Sequence, residues 1–187
     1  MDERSLAAAA VSMGFTRAAP VDLTRLKMGD AASVRALCES NACGCYGVNW
    51  MCPPGVGTVE SCVMELLRYP GGIVVQFVGQ MEDSFDLEGT AAAHARFREL
   101  LEAFLPDVAR EGEILALGAG GCSLCEKCSY PDEPCRRSDR AMASVESYGV
   151  NVMRLCKLAN LPYHSGQNTV TFTGLYAIHK GGEDGDL

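Results

Sequence analysis

Two groups of cysteines are the residues in this sequence whose type and spacing suit chemistry. One group lies within residues 38–54 and the other within residues 118–136, and together they hold eight of the ten cysteines in the 187-residue chain. Cysteine thiolates bind iron–sulfur clusters and zinc, and cysteine pairs also act as redox thiols. The sequence therefore indicates metal binding or redox chemistry at two places.

The second group, here called the second cysteine box, has the more specific spacing. Cys122, Cys125 and Cys128 follow one another at intervals of three, and Cys135 comes seven positions later, directly after Pro134. The first three positions have the C-x2-C-x2-C spacing of bacterial ferredoxins, and the longer last interval is compatible with four ligands to one cluster. A structural zinc site or a C-x-x-C thiol pair is the alternative. Zinc sites usually use two separate C-x-x-C units, so the overlapping units here favour iron and sulfide.

Glycines precede this box, at positions 118, 120 and 121. Because glycine lacks a β-carbon, the backbone there can approach closely and direct N–H groups at sulfur, which tunes the reduction potential of a cluster. The run follows a predicted strand, but Ser123 stands where a dinucleotide-binding fingerprint requires its last glycine. We therefore assign the glycines to the cysteine loop.

The other group, the first cysteine box, is less specific when taken alone. Its members are Cys38, Cys43, Cys45 and Cys52, and Pro53 and Pro54 follow. Beside the second box, this spacing predicts a second cluster or metal site. Three neighbouring side chains can either shield that site from water or pack beneath a long loop: Tyr46, Trp50 and Met51.

The remaining candidates have plainer interpretations. Cys62 and Cys156 lie on the apolar faces of predicted helices, where a free cysteine behaves as a small hydrophobic residue of the core. His94 is predicted to lie on the surface of a long helix. Three arginines after Cys135 either offset the charge of a thiolate cluster or begin a solvated helix: Arg136, Arg137 and Arg140.

Periodicity predicts helices that alternate with strands. The predicted helices cover residues 3–14, 31–39 after Asp30, 59–68 after Thr58, 89–110, 138–148 and 150–160, and the predicted strands cover residues 18–21, 72–81, 114–117 and 169–178. This alternation predicts an α/β fold, with α+β as the alternative, in which helices cover one sheet. We expect a single domain over residues 1–187, with both cysteine boxes in loops that the sheet and helices display.

Beyond these patterns, the sequence resembles a family of uncharacterised proteins known only as predicted metal-binding proteins. The resemblance runs from about residue 30 to residue 178, and its members occur largely in anaerobic bacteria and archaea, some beside genes of corrinoid-dependent methyltransferases. The matching segments are residues 38–54, 82–89, 117–128, 134–136 and 166–171.

The resemblance implies a metal-ligand set but no reaction. The family pattern falls on seven cysteines of this chain: Cys38, Cys43, Cys52, Cys122, Cys125, Cys128 and Cys135. Cys45 is an addition, since similar proteins tend to carry asparagine or another polar residue there. The spacing alone favours four ligands in each box, whereas the family pattern implies three in the first. Three ligands would leave one iron open to water, substrate or a ligand from a partner.

Composition excludes several other classes of protein. With 16 basic and 24 acidic side chains, the formal net charge is −8 at pH 7, which argues against nucleic-acid binding. A hydrophobic content of 48% with 21% charged residues is typical of a globular protein. No apolar run approaches the ~20 residues of a membrane helix, and the start Met1-Asp2-Glu3-Arg4 does not resemble an export signal. We therefore expect a cytoplasmic protein away from membranes.

Together these observations lead to three hypotheses. The first is a cytoplasmic iron–sulfur protein with two clusters, both [4Fe-4S], that transfers electrons or reductively activates a partner enzyme or cofactor. The resemblance makes a partner in corrinoid-dependent methyl transfer one candidate. The second is a zinc-binding module used for assembly. The third is an enzyme in which an open-site [4Fe-4S] cluster acts as a Lewis acid on a small substrate.

Overall fold

A five-stranded mixed sheet organises the protein in a computed structural model, which describes residues 1–181. Its strands are β1 (Arg17–Asp22), β2 (Gly71–Gln80), β3 (Glu113–Gly118), β4 (Ala143–Ser144) and β5 (Thr169–His179). The helices are α1 (Glu3–Met13), α2 (Ala31–Glu39), α3 (Val59–Leu66), α4 (Leu87–Ala109) and α5 (Val152–Leu158), and 3₁₀ turns cover Leu23–Arg25 and Glu146–Tyr148. The expected α/β fold with a single sheet is confirmed.

The strand order across the sheet is β1-β2-β5-β3-β4. The first four strands in this order pair antiparallel, with Val75 opposite Gly174 and Leu117 opposite Leu175, whereas β4 runs parallel to β3. β4 pairs only with Leu117 and Gly118, so the remainder of that β3 edge has no neighbouring strand within the described part of the chain. The sheet therefore ends in a short, partly open edge.

Side chains of the sheet alternate between two apolar layers. Ile73 and Val75 of β2 pack with α1 and α4, whereas Val74 packs with α3, α5 and the turn at 146–148. This period-two alternation places helices on both faces, as a strand buried on both sides requires. Both cysteine boxes lie in loops that this core supports, except that Cys38 belongs to the last turn of α2.

Local capping explains where the helices begin. The side chains of Thr58, Asp86 and Asn151 accept hydrogen bonds from the backbone N–H groups of Ser61, Gly89 and Arg154, respectively. Such bonds satisfy N–H groups that the first turn of a helix leaves without partners. Asp30 also precedes a helix but makes no capping bond, since its carboxylate accepts from Arg154 and Asn151 instead.

One predicted helix, residues 138–148, is wrong. The structure has turns there, followed by β4 and the 3₁₀ turn. The backbone N–H of Val145 donates to the carbonyl of Gly118 at 2.9 Å, and the Ser144 hydroxyl accepts from the N–H of Ser147. Pairing with β3 thus outweighs the local helical pattern. Within residues 1–181, no helix combines the length and apolar character needed to cross a membrane.

Candidate metal centres

The first cysteine box connects α2 to α3, and its loop is fastened by two asparagines. Asn41 accepts a hydrogen bond from the N–H of Tyr46 at 3.0 Å. Asn49 is 4% exposed; its amide donates to the carbonyl of Cys45 and accepts from the N–H of Met51. Because the side chains of Asn41 and the buried Asn49 replace regular backbone pairing here, the loop holds a fixed path without forming a helix or strand.

All four cysteines of the first box line one cavity of about 270 Å³. Cys38 stands at the end of α2, Cys43 is exposed, and Cys52 is buried at 6% exposure. The opposite wall consists of Gly120 and Gly121 together with the turn that contains Ser144, Glu146 and Ser147. Cys45, which the family pattern omits, lies at this cavity with the other three.

Gly121 brings the second loop against the first box. A β-carbon built on Gly121 would lie 2.4 Å from the Sγ of Cys45. The backbone N–H groups of Gly121 and Cys122 face the sulfurs of Cys45 and Cys52, respectively, and lower the pKa of each thiol against the larger effect of burial. We expected the glycine run to serve the sulfurs of the second box, but the structure directs these two N–H groups at the first.

The second cysteine box surrounds a smaller cavity next to the first. Its four cysteines all line that cavity, together with Trp50, Met51, Arg136 and Arg137. The loop is held by hydrogen bonds from Ser129 Oγ to the carbonyl of Pro134 and from Arg136 to the carbonyl of Lys127. The indole of Trp50 donates to the carbonyl of Glu133 at 3.0 Å and lies edge-on to Tyr130. Trp50 therefore belongs to the first loop in sequence but to the second cavity in space.

Burial keeps several of these thiols protonated while no metal is bound. Burial raises the pKa of Cys38, Cys52 and Cys122 above the ordinary thiol range. Burial, and then the neighbouring Cys43 and Cys52, raise the pKa of Cys45 to about 11. Since metals bind thiolates, a metal entering either cavity would displace these protons.

Arg35 is a buried positive charge one turn before Cys38. It is 5% exposed, and its guanidinium donates to the carbonyl of Gly57 and to the sulfur of Cys62. Its Nε has no hydrogen-bond partner, and no carboxylate among residues 1–181 forms an ion pair with it. A buried, unpaired charge is costly, and its field offsets part of the increase that burial causes in the pKa of Cys38. The surroundings of Arg35 therefore fit an anionic group at the first box.

The arrangement does not converge on a single metal ion. Across the described residues, no group of three or more histidine, cysteine, aspartate or glutamate side chains is placed to hold one ion. A four-iron cluster makes a different demand, because its cysteines bind different irons at the corners of a bulky body. The cavity at the first box has room for a body larger than one ion, at about 270 Å³, whereas the cavity at the second box holds about 20 Å³.

Four other candidate residues lie outside the linings of both cavities. Cys62 and Cys156 are buried in the core, as predicted, at 2% and 1% exposure. His94 is not merely on the surface: its Nε2 lies 2.8 Å from the carbonyl of Ala119 and its ring packs on Phe172. It thereby supports the glycine run, a role that no local pattern signals. Arg140 pairs with Glu102 rather than with a cysteine box.

Fold and site together define a class: a single-sheet α/β protein that displays two adjacent four-cysteine loops. All ten cysteines are free thiols in the structure. A family model described as "Predicted metal-binding protein (DUF2284)" matches residues 24–178. The chain belongs to this family. A search of the curated proteins and a search of the solved structures each found no match.

Proposed function

We propose that the protein is an iron–sulfur protein that holds one [4Fe-4S] cluster in each cysteine box and carries electrons to or from a partner. The observation that carries the proposal is the junction of the boxes. Gly121, directly before the first cysteine of one box, packs so closely against the other box that a β-carbon there would lie 2.4 Å from the Sγ of Cys45. Two redox centres held this close would suit electron passage between them.

The ligand sets of the proposal are four cysteines in each box. Cys45 joins Cys38, Cys43 and Cys52 as the fourth ligand of the first box because it lines the same cavity. This assignment weakens the alternative of an open-site Lewis acid, which requires a three-cysteine box. The second set is Cys122, Cys125, Cys128 and Cys135.

The protein's own residues would tune these sites in three ways. A cluster would supply storage of one electron, and the N–H groups of Gly121 and Cys122, which face sulfurs of the first box, would favour that added charge. The buried Arg35 would favour it through its positive charge. Trp50 and Met51 would keep water from the second cavity. A redox partner from corrinoid-dependent methyl transfer stays a prediction of the resemblance alone.

Metal analysis after anaerobic purification tests the proposal. We expect about eight irons and eight sulfides per chain, four for each cluster, with broad visible absorption that bleaches on reduction. Dithionite should generate an S = 1/2 signal in electron paramagnetic resonance. Cys52→Ser and Cys128→Ser should each remove about half of the iron and leave the other site reducible. Colourless protein with one or two zinc ions per chain would overturn the proposal in favour of a zinc module.

A further inference from the structure

A separate groove lies beside the second cysteine box. Its volume is about 560 Å³, within the range of about 300–1,000 Å³ that is typical of small-molecule sites. The floor is the open edge of β3 at Leu115–Leu117, where β4 pairs only with Leu117 and Gly118. Trp50 and Tyr148 supply aromatic walls. The cysteines of the first box do not contribute to it.

One wall of the groove is shared with the second cavity. Trp50, Met51 and Cys135 line both spaces. A molecule in the groove would therefore be separated from the second cysteine box by no more than the thickness of these side chains. This position distinguishes the groove from a surface depression unrelated to the site.

The charge of the groove selects among ligands. Its lining includes the carboxylates of Asp132 and Glu133 at the rim but no lysine, arginine or histidine among the described residues. Anionic molecules, including those with phosphate groups, would meet repulsion without a compensating cation. Aromatic and aliphatic walls instead favour a flat, apolar ring system, and the acidic rim favours a positive charge on it.

We propose that this groove binds a planar conjugated one-electron carrier that is neutral or positively charged. The carrier role rests on the proposed function, whereas binding itself depends only on the groove. A dicationic carrier would take one electron and become a radical cation while the reduced second site is oxidised by one electron, and no proton is transferred.

The chain contains its own reporter for this test, because Trp50 is its single tryptophan and forms a groove wall. Methyl viologen, a planar dication, should quench Trp50 fluorescence saturably in oxidised protein as purified, and calorimetry should give the same dissociation constant. Anthraquinone-2,6-disulfonate, a planar dianion, should bind at least about tenfold more weakly.

Two variants of groove residues, each with a control variant elsewhere in the chain, test whether viologen binds in the groove. Ala141→Leu fills the groove from its half-buried wall and should weaken viologen binding by about tenfold or more, whereas Ala92→Leu on the exposed face of α4 should not. The double variant Asp132→Asn with Glu133→Gln should weaken it about threefold to tenfold, and Glu60→Gln at the start of α3 should leave it unchanged.

The outcomes separate this inference from the proposed function. Non-saturating quenching, or equal binding by wild type and Ala141→Leu, would overturn the groove as a binding site whatever the iron content. If neither dye binds in the groove, and the protein is a dimer that Ala141→Leu dissociates, the groove is the contact between two copies of the chain. That result would overturn the inference as well. Protein without iron and sulfide would reject the proposed function, while the viologen isotherm would still decide the groove.

Discussion

The Cα of Gly121 lies so close to Cys45 that a β-carbon there would stand 2.4 Å from the cysteine sulfur. Gly121 precedes the second cysteine box, and Cys45 belongs to the first. Glycine is required at position 121 only because a side chain has no room there, since Gly121 does not have the positive φ of its neighbour Gly120. The two boxes thus meet where the backbone of Gly121 contacts the side chain of Cys45, with no room for a side chain at position 121.

Gly121→Ala should therefore disturb the first site selectively. The added methyl must displace Cys45 or the loop, because real β-carbons do not approach sulfur this closely. We expect iron to fall from about eight to about four per chain, with the second site still reducible. Gly29→Ala is the matched control, since no atom lies within 4 Å of a β-carbon at that position. Full iron content in Gly121→Ala would show that the loops are not packed together in this way.

Cys45→Ser decides whether the first box is closed or open. If Cys45 is the fourth ligand, the variant should lose about four irons, as Cys52→Ser should. Cys156→Ser is the control, because that cysteine is buried away from both boxes against Gln76 and Thr173. Unchanged iron and sulfide in Cys45→Ser would instead support the three-ligand pattern and restore the open-site enzyme hypothesis.

Arg35→Met should have opposite effects with and without metal. In metal-stripped protein the variant removes a buried charge that has no carboxylate partner, so the free energy of unfolding in urea should stay level or rise by about 1–3 kcal/mol. In loaded protein the first site loses a nearby positive charge, and its reduction potential should fall in a titration followed by electron paramagnetic resonance.

The control for this variant is Arg25→Met, which changes an exposed arginine in a 3₁₀ turn. Arg25→Met should measurably alter neither the free energy of unfolding of metal-stripped protein nor the reduction potential of the first site. A loss of more than about 2 kcal/mol in metal-stripped Arg35→Met would contradict the argument. It would show that Arg35 serves mainly to fasten the loop through the carbonyl of Gly57.

Helices and strands could be predicted from the sequence wherever a long hydrophobic pattern fits only one kind of element. The apolar stripe of α4 and the dense hydrophobic runs of β2 and β5 are strongly periodic, and these elements form close to their expected bounds. β4 could not be predicted in this way. Its two residues become a strand only because Gly118 accepts the N–H of Val145, a contact between distant parts of the chain.

The candidate site could also be predicted only in part from the sequence. Spacing predicted which cysteines belong to which box, and each set lines one cavity. Spacing could not place Trp50 of the first loop beside the second box, nor direct the N–H of Cys122 at Cys52, because both contacts depend on how the loops meet. Arg35 did carry a local signal, since it shares the buried face of α2 with Ala31 and Val34. An arginine on the buried face of a helix predicts an anionic group nearby.

Alkylation of individual cysteines links metal occupancy to the pKa of each thiol. In loaded protein all ten cysteines should resist iodoacetamide, eight through ligation and two through burial. After metal is stripped, the exposed Cys43 should react readily. Cys62 and Cys156 should stay unreactive, because burial raises the pKa of both thiols and restricts access to them.

Cys45 gives this experiment its pH dependence. With a pKa of about 11, its thiolate fraction in stripped protein is far below that of an ordinary cysteine at pH 7–9. Its alkylation rate should therefore rise about tenfold for each pH unit across that range, while the rate of a thiol with an ordinary pKa levels off near pH 9. Peptide mass spectrometry measures each site, circular dichroism verifies that stripped protein stays folded, and guanidinium-unfolded protein gives the rates without structure. Equal rates for Cys43, Cys45 and Cys62 in folded protein would contradict the burial that distinguishes Cys45 and Cys62 from the exposed Cys43.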